Sequence, residues 1–305
     1  MASKDLVIIG GGPAGLSAGI YASRAALDAV LLEQALPGGL VMSTESIENY
    51  PGFSDSIGGF ELMARMESQA RRFGLEIIST EVKGLKPAGN ELIIVTGQGE
   101  ITAGAAIVAT GVQPQRLNAR GETELIGRGV SYCATCDGPF FRSKRVAVIG
   151  GGDAAVEEAV YLTKFAEKVF IIHRRGELRA TKVVQKKAFD NSKIEFVWHS
   201  VVDEIHGTDS VKAVLTRDVR DNTKNLLLVD GAFIYVGNIP VSGIVEGLVK
   251  LDEKGFIITD ENMHTSHPGI FAAGDVRKKM LRQVVTAVSD GAVAAVAAEK
   301  YLEGI

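Results

Sequence analysis

The chain has 305 residues, 46% hydrophobic and 23% charged, with a formal net charge of −4, a composition that suits an ordinary folded protein of about two domains. So mild a negative balance gives no general attraction to nucleic acid or to an anionic membrane, and the longest apolar tract, near residues 292–298, falls short of the ~18 residues a membrane span needs. Only four apolar residues, 6–9, precede the first glycines, too few for a signal-peptide core. The expectation is therefore a cytoplasmic chain, in a compartment that keeps thiols reduced and uses cysteines structurally only by exception.

Residues 6–9 read as a short apolar strand. They are followed by Gly10-Gly11-Gly12-Pro13-Ala14-Gly15, by an Ala- and Leu-rich helical segment to about Ala26, and by a second apolar run ending at Glu33. This is the GxGxxG/A dinucleotide fingerprint in its strand, turn, helix, strand setting. Gly10 permits the tight turn, Gly12 lets backbone approach a pyrophosphate, and Gly15 allows close packing of helix on strand, with phosphate at the helix N-terminus. Glu33 stands 23 positions after Gly10. An acidic residue there accepts hydrogen bonds from a free ribose 2′-hydroxyl, as in FAD or NAD. Asn49 and Thr110, taken alone, read as a turn residue and a strand cap. Gly111-Val112-Gln113-Pro114 then leaves a strand for a linker.

Cys133-Ala134-Thr135-Cys136-Asp137 contains the chain's only two cysteines. Tetrahedral zinc wants four N or S ligands. Here there is no second cysteine pair, and His173, His199, His206, His264 and His267 show no HxxxH spacing, so no metal is expected. Dithiol and disulfide chemistry remains, because a CxxC thiol with a lowered pKa attacks as thiolate. The spacing does not order the two cysteines. Asp137 is placed to trade a proton with a thiolate, and it also begins Asp137-Gly138-Pro139, a common turn composition.

The fingerprint then returns. Residues 146–149 form an apolar strand, Gly150-Gly151-Gly152-Asp153-Ala154-Ala155 opens a helix, and a further apolar run closes at His173, again 23 positions after the first glycine. His173, Arg174 and Arg175, with Arg179 about a turn further on, supply a cationic cluster suited to a phosphate dianion. Arginines at this place accommodate the 2′-phosphate of NADP, which predicts NADPH at the second site. Without the preceding fingerprint, Arg174 and Arg175 read as a solvated loop. A second linker, Gly237-Asn238-Ile239-Pro240, mirrors the first.

An FAD-type site, an NADPH-type site and a CxxC carry electrons in one order: hydride to flavin, then to the disulfide. The glycine runs at 10–15 and 150–153, Glu48-Asn49-Tyr50-Pro51-Gly52, Ile107-Val108-Ala109-Thr110-Gly111, the Tyr132 to Asp137 stretch, His173 to Arg175, Gly269-Ile270-Phe271-Ala272-Ala273-Gly274-Asp275 and Arg282-Gln283-Val284 follow in sequence. In this set and order the chain resembles the bacterial low-molecular-weight thioredoxin reductases, NADPH-dependent flavoprotein disulfide reductases, over residues 6–302.

The resemblance implies an α/β fold of two Rossmann-like three-layer dinucleotide-binding domains. An FAD domain comprises residues 1–112 and 241–305, and an inserted NADPH domain, residues 113–240, carries the CxxC. It implies that Gly39, Asn49, the Val82 backbone, Thr110, Gly111, Gly274, Asp275 and Arg282 to Val284 line FAD together with Gly10 to Gly15 and Glu33. Gly150, Gly152, Asp153, Ala155, His173, Arg174, Arg175 and Arg179 then hold NADPH. By the same resemblance Cys136 faces the flavin, Cys133 attacks a thioredoxin or thioredoxin-like partner, and the enzyme is a homodimer; the charge and apolar pattern noted above lead to the expectation of no nucleic-acid or membrane partner. Nicotinamide and CxxC in one domain must both reach one flavin, so the NADPH domain is expected to rotate about residues 112–115 and 237–241 between half-reactions. Leu40 and Val241 depart from the family's usual Gln and Asn, and Leu40 removes a polar contact near the isoalloxazine. The alternatives are a thioredoxin-like reductase with another electron donor and a flavin-bound redox sensor.

Overall fold

The computed structural model describes residues 2–44 and 47–304. The chain divides into two compact units, Met1–Gln113 with Ile239–Ile305, and Pro114–Asn238.

The first unit is built on a sheet whose parallel strands run Glu76–Ser79, Ala29–Glu33, Ala2–Ile9 and Gly99–Val108, with Ile270–Ala272 also pairing to the last. Val82–Ala88 and Glu91–Thr96 extend it as an antiparallel meander onto Gly99–Val108. The run at 6–9 is apolar throughout because both faces are covered: Leu6 and Ile8 enter one core with Leu16 and Phe271, while Val7 and Ile9 enter another with Val245 and Ile257. Helices Pro13–Arg24 and Val284–Leu302 pack on the first of these faces, rich in Ala and Gly where they meet. Their backbones touch there: a Cβ on Gly291 would stand 2.0 Å from the Ala14 carbonyl oxygen. Helix Gly59–Arg72 is amphipathic, burying Leu62, Met63, Met66 and Ala70 and pairing Glu61 with Arg65 and Glu67 with Arg71 at i, i+4.

The second unit has a five-stranded parallel sheet in the order Ile194–Val197, Lys168–Ile172, Arg145–Ile149, Gly231–Ile234, Val130–Ser131. Val146, Val148 and Ile171 pack with helices Asp153–Leu162 and Lys182–Phe189. Ala147, Ile149 and Phe170 pack instead with Ile205 and Val214 of a three-stranded antiparallel sheet, Ser200–Gly207, Val211–Asp218 and Lys224–Leu228. Each unit is thus a three-layer nucleotide-binding architecture. Strands Val112–Pro114 and Asn238–Pro240, where the chain passes between the units, pair as a two-stranded ribbon. Among the described residues no helix is long and apolar enough to cross a membrane, and no group of three His, Cys, Asp or Glu is arranged to hold a metal.

Candidate active site

In the first glycine turn, Gly10 has φ +106°, and a Cβ there would lie 2.4 Å from the Ala109 carbonyl oxygen. A Cβ on Gly15 would lie 1.8 Å from the Gly10 carbonyl oxygen, so the first helical turn rests directly on the loop. Gly12, by contrast, faces open space. Helix Pro13–Arg24 starts behind it with no side-chain cap and Pro13 in its first turn. The free N–H groups of that turn are the donors an anionic pyrophosphate requires. Glu33 is fixed by two amides, Gly11 donating to Oε2 at 2.7 Å and Ala35 to Oε1 at 2.9 Å. Each carboxylate oxygen has a further lone pair for a ribose hydroxyl. Beside Glu33 lies a cavity of ≈ 360 Å³ walled by Leu36, Pro37, Met42 and Met63 among others. Its largely apolar walls suit a flat heteroaromatic ring. Sequence reasoning did not find Leu36 or Met63, which lie outside the glycine motif and reach the cavity through folding.

The late motif closes on the same turn. A Cβ on Gly274, at φ +79°, would lie 2.9 Å from the Ala14 Cβ, and one on Gly39 would lie 3.5 Å from the Gly12 Cα. Gly274 N–H donates to the buried Asp290 carboxylate at 3.0 Å, and Lys279 donates to the same Oδ2 at 2.8 Å. Asp275 Oδ1 is buried with no hydrogen-bond partner. Burial pushes the Asp275 carboxyl pKa up, opposed by Lys279 and Arg282. Such an orphaned acceptor fits the hydroxyls of a polyol chain, and with the bare glycines it makes a cradle that FAD fits. Asn49 Nδ2 donates to Gln283 Oε1 at 3.1 Å, and Gln283 caps helix Val284–Leu302 through a reciprocal box with Thr286. Thr110 Oγ1 donates to the Val241 carbonyl at 2.6 Å, so this hydroxyl is engaged by backbone. Arg282 stacks on Phe256 at 4.0 Å from the ring centroid. Leu40 is half exposed, and Val82 starts the first strand of the meander.

The second glycine turn repeats the geometry. A Cβ on Gly150 would stand 2.4 Å from the Tyr235 carbonyl oxygen and 2.7 Å from the Ala155 Cβ, while Gly152 faces open space before the uncapped helix Asp153–Leu162. Asp153 accepts from Thr181 N–H at 2.7 Å, and Arg179 and Ala180 N–H both donate to the Gly151 carbonyl. These bonds fold the Arg179 segment over the glycines. His173 is buried under the turn, where a Cβ on Gly151 would lie 2.5 Å from its Nδ1. Burial, then the charges of Arg179, Arg175 and Arg174, hold its imidazole pKa below the ordinary value. His173 is therefore a neutral floor, and the positive charge that the sequence pattern assigned to four residues is carried by three. Arg174, Arg175 and Arg179 are exposed, and no carboxylate pairs with them among the described residues. A site with three unpaired guanidiniums beside an open helix N-terminus fits a nucleotide bearing an extra phosphate.

Cys133 and Cys136 are joined as a disulfide, with Cα atoms 5.4 Å apart. They flank the start of the short helix Ala134–Asp137. Cys133 is half-buried and Cys136 exposed. Cys136 N–H donates to Cys133 Sγ at 3.2 Å, a bond that strengthens when that sulfur carries charge. Ser131 Oγ accepts from Cys133 N–H at 3.0 Å. The Tyr235 hydroxyl accepts from Ala134 N–H at 2.8 Å, so one residue packs its carbonyl on Gly150 and holds the redox helix with its side chain. Burial, then Glu158, push the Tyr235 phenol pKa up, so it stays neutral. Just before Cys133, Tyr132 donates to the buried Glu122 at 2.6 Å, and Leu117 and Asn118 N–H donate to the same carboxylate. Tyr235 and Glu122 lie 99 and 14 positions from Cys136, so local spacing carried no signal for either.

A model of the pyridine nucleotide-disulphide oxidoreductase family matches residues 4–291. The chain is 48% identical over 303 residues to a thioredoxin reductase of Listeria innocua, covering 98% of this chain and 94% of that one. It is 46% identical over 300 residues to a thioredoxin reductase of Bacillus subtilis, covering 98% and 95%. Among solved structures, the thioredoxin reductase of Lactococcus lactis matches with a TM-score of 0.97 at 45% identity, over 99% of this chain and 100% of that one.

Proposed function

The chain belongs to the pyridine nucleotide-disulphide oxidoreductase family, and from that membership we propose that it works as a thioredoxin reductase, moving electrons from NADPH through FAD and the Cys133–Cys136 disulfide to the disulfide of thioredoxin. The observation that carries this reading is the CxxC disulfide in a chain with two bare glycine turns, one ending at Glu33 and the other at three unpaired arginines.

FAD bound in this cradle would supply hydride acceptance from NADPH and two-electron transfer to the disulfide. The first-turn amides of helix Pro13–Arg24 would hold its pyrophosphate, Glu33 its ribose, and Asp275 its ribityl hydroxyls. Arg174, Arg175 and Arg179 would hold the 2′-phosphate of NADPH, with His173 neutral beneath them. Two electrons break the Cys133–Cys136 bond and leave a thiol and a thiolate. The Cys133 thiolate attacks one sulfur of thioredoxin's disulfide, forming a mixed disulfide and expelling the second sulfur as thiolate. Asp137, protonated, gives its proton to that expelled thiolate and, as carboxylate, then takes the proton of the Cys136 thiol; the last sulfur released takes its proton from solvent. Cys136, as thiolate, then displaces thioredoxin's first sulfur, restores the intrachain disulfide and releases a dithiol. Overall, NADPH, one proton and a disulfide become NADP and a dithiol.

The unit Pro114–Asn238 contains both the arginine cluster and the cysteine pair. Serving flavin, nicotinamide and protein partner in turn calls for rotation of that unit about the linkers near residues 112–115 and 237–241. A homodimer in the cytoplasm completes the reading, supported by family membership. The unpaired arginines favour NADPH over another electron donor. The test is NADPH-dependent reduction of oxidised thioredoxin: Cys133→Ser and Cys136→Ser should each lower turnover by at least about a hundredfold. Retained turnover in both would remove the disulfide from the path.

A further inference from the structure

His199 lies in the turn between strands Ile194–Val197 and Ser200–Gly207, and its backbone is left-handed, φ +53°, a conformation that a bulky residue holds only when its surroundings require it. Three backbone bonds impose it. His199 N–H donates to the Arg175 carbonyl at 3.3 Å, Ser200 N–H to the His173 carbonyl at 3.0 Å, and Val219 N–H to the His199 carbonyl at 2.7 Å. The turn is thereby strapped to the arginine loop on one side and to the three-stranded sheet on the other. The imidazole lies against Gly176, where a Cβ would stand 2.7 Å from Cε1 and 2.8 Å from Nε2. Gly176 itself has an ordinary backbone conformation, so space for this ring, rather than an unusual φ, is what glycine provides there.

We propose that His199, seated on Gly176, is a positioning residue that holds the Arg174–Arg175 loop ready for the 2′-phosphate and so sets the preference for NADPH over NADH. This rests on the reading of Arg174, Arg175 and Arg179 as the 2′-phosphate cluster. The ring acts through the Gly176 backbone. It keeps the loop from folding back onto the sheet end, so less ordering is left to be done when the nucleotide arrives.

The test uses the FAD-loaded enzyme, with 2′,5′-ADP binding measured by calorimetry and KM for NADPH and NADH measured in parallel. His199→Asn keeps a side chain that tolerates the left-handed backbone and removes the ring. It should weaken 2′,5′-ADP about three- to tenfold and raise KM for NADPH by a similar factor, leaving KM for NADH unchanged. Gly176→Ala should weaken 2′,5′-ADP comparably in the parent but little in the His199→Asn background, because the added methyl collides with the ring. Unchanged 2′,5′-ADP binding in His199→Asn, or equal losses for NADPH and NADH, overturns the proposal. Arg175→Ala separates the two readings. If it loses 2′,5′-ADP while His199→Asn does not, only the positioning role falls. If Arg175→Ala binds 2′,5′-ADP as the parent does, the cluster reading falls and this inference with it.

Discussion

Cys133 Sγ receives the Cys136 N–H, and Asp137 follows directly in the same short helix. A group that protonates the leaving thiolate is worth about a hundredfold in rate. Asp137→Asn should therefore slow thioredoxin reduction by about that factor while NADPH still reduces the cysteine pair; unchanged turnover would leave Asp137 a turn residue. His173 gives a pH-dependent prediction. Its pKa is depressed by burial and by three arginines, so the unfolded chain binds more protons than the native one as pH falls from above the ordinary histidine value. The stability it contributes is present above about pH 6.5 and is lost as pH falls towards its folded pKa. His173→Gln loses packing at pH 7.5 but avoids the cost of protonation. The gap between parent and variant in thermal midpoint should narrow between pH 7.5 and 5.5, and a constant gap would mean that His173 does not titrate on unfolding.

The glycine turns work because helices are set directly on loops. Gly291 shows the same closeness between two helices of the first unit, since an added methyl would meet the Ala14 carbonyl oxygen at 2.0 Å. Gly291→Ala must push the two helices apart, costing about 1–3 kcal/mol of stability by urea titration, and it disturbs the amides behind Gly12. FAD retention should fall with stability; a stable variant with normal FAD affinity would show that the two helices can slide without moving the turn. At this scale much was readable from sequence. Both strand, turn, helix, strand units carry period, glycine spacing and a terminal acidic or basic signature within about thirty residues, and their chemistry follows from that local order. The meander of Val82–Ala88, Glu91–Thr96 and Gly99–Val108 was not read, nor was the three-stranded sheet that covers the second unit. Leu226, Leu227 and Leu228 show why: consecutive leucines hide the alternation of an edge strand whose first and third leucines are exposed. The partners of the CxxC were hidden for a related reason. Tyr235 and Glu122 reach it by strand pairing and a buried turn, which no local spacing encodes.

Across the whole molecule, the arginine cluster proposed for NADPH and the cysteine pair share one unit, while the glycine cradle proposed for FAD is in the other. Locking the units with an engineered cross-link should stop turnover with thioredoxin, and undiminished turnover in a verified cross-linked sample would exclude rotation. The central claim is the path of electrons from NADPH to flavin to Cys133–Cys136 to thioredoxin. The most direct measurement is anaerobic stopped-flow absorbance of the FAD-loaded protein mixed with NADPH or NADH and then with oxidised thioredoxin. Rapid bleaching by NADPH, slower bleaching by NADH, and reoxidation by thioredoxin that is lost in Cys136→Ser is the predicted result. A flavin that neither nucleotide bleaches, or one that thioredoxin reoxidises equally well in Cys136→Ser, would contradict it.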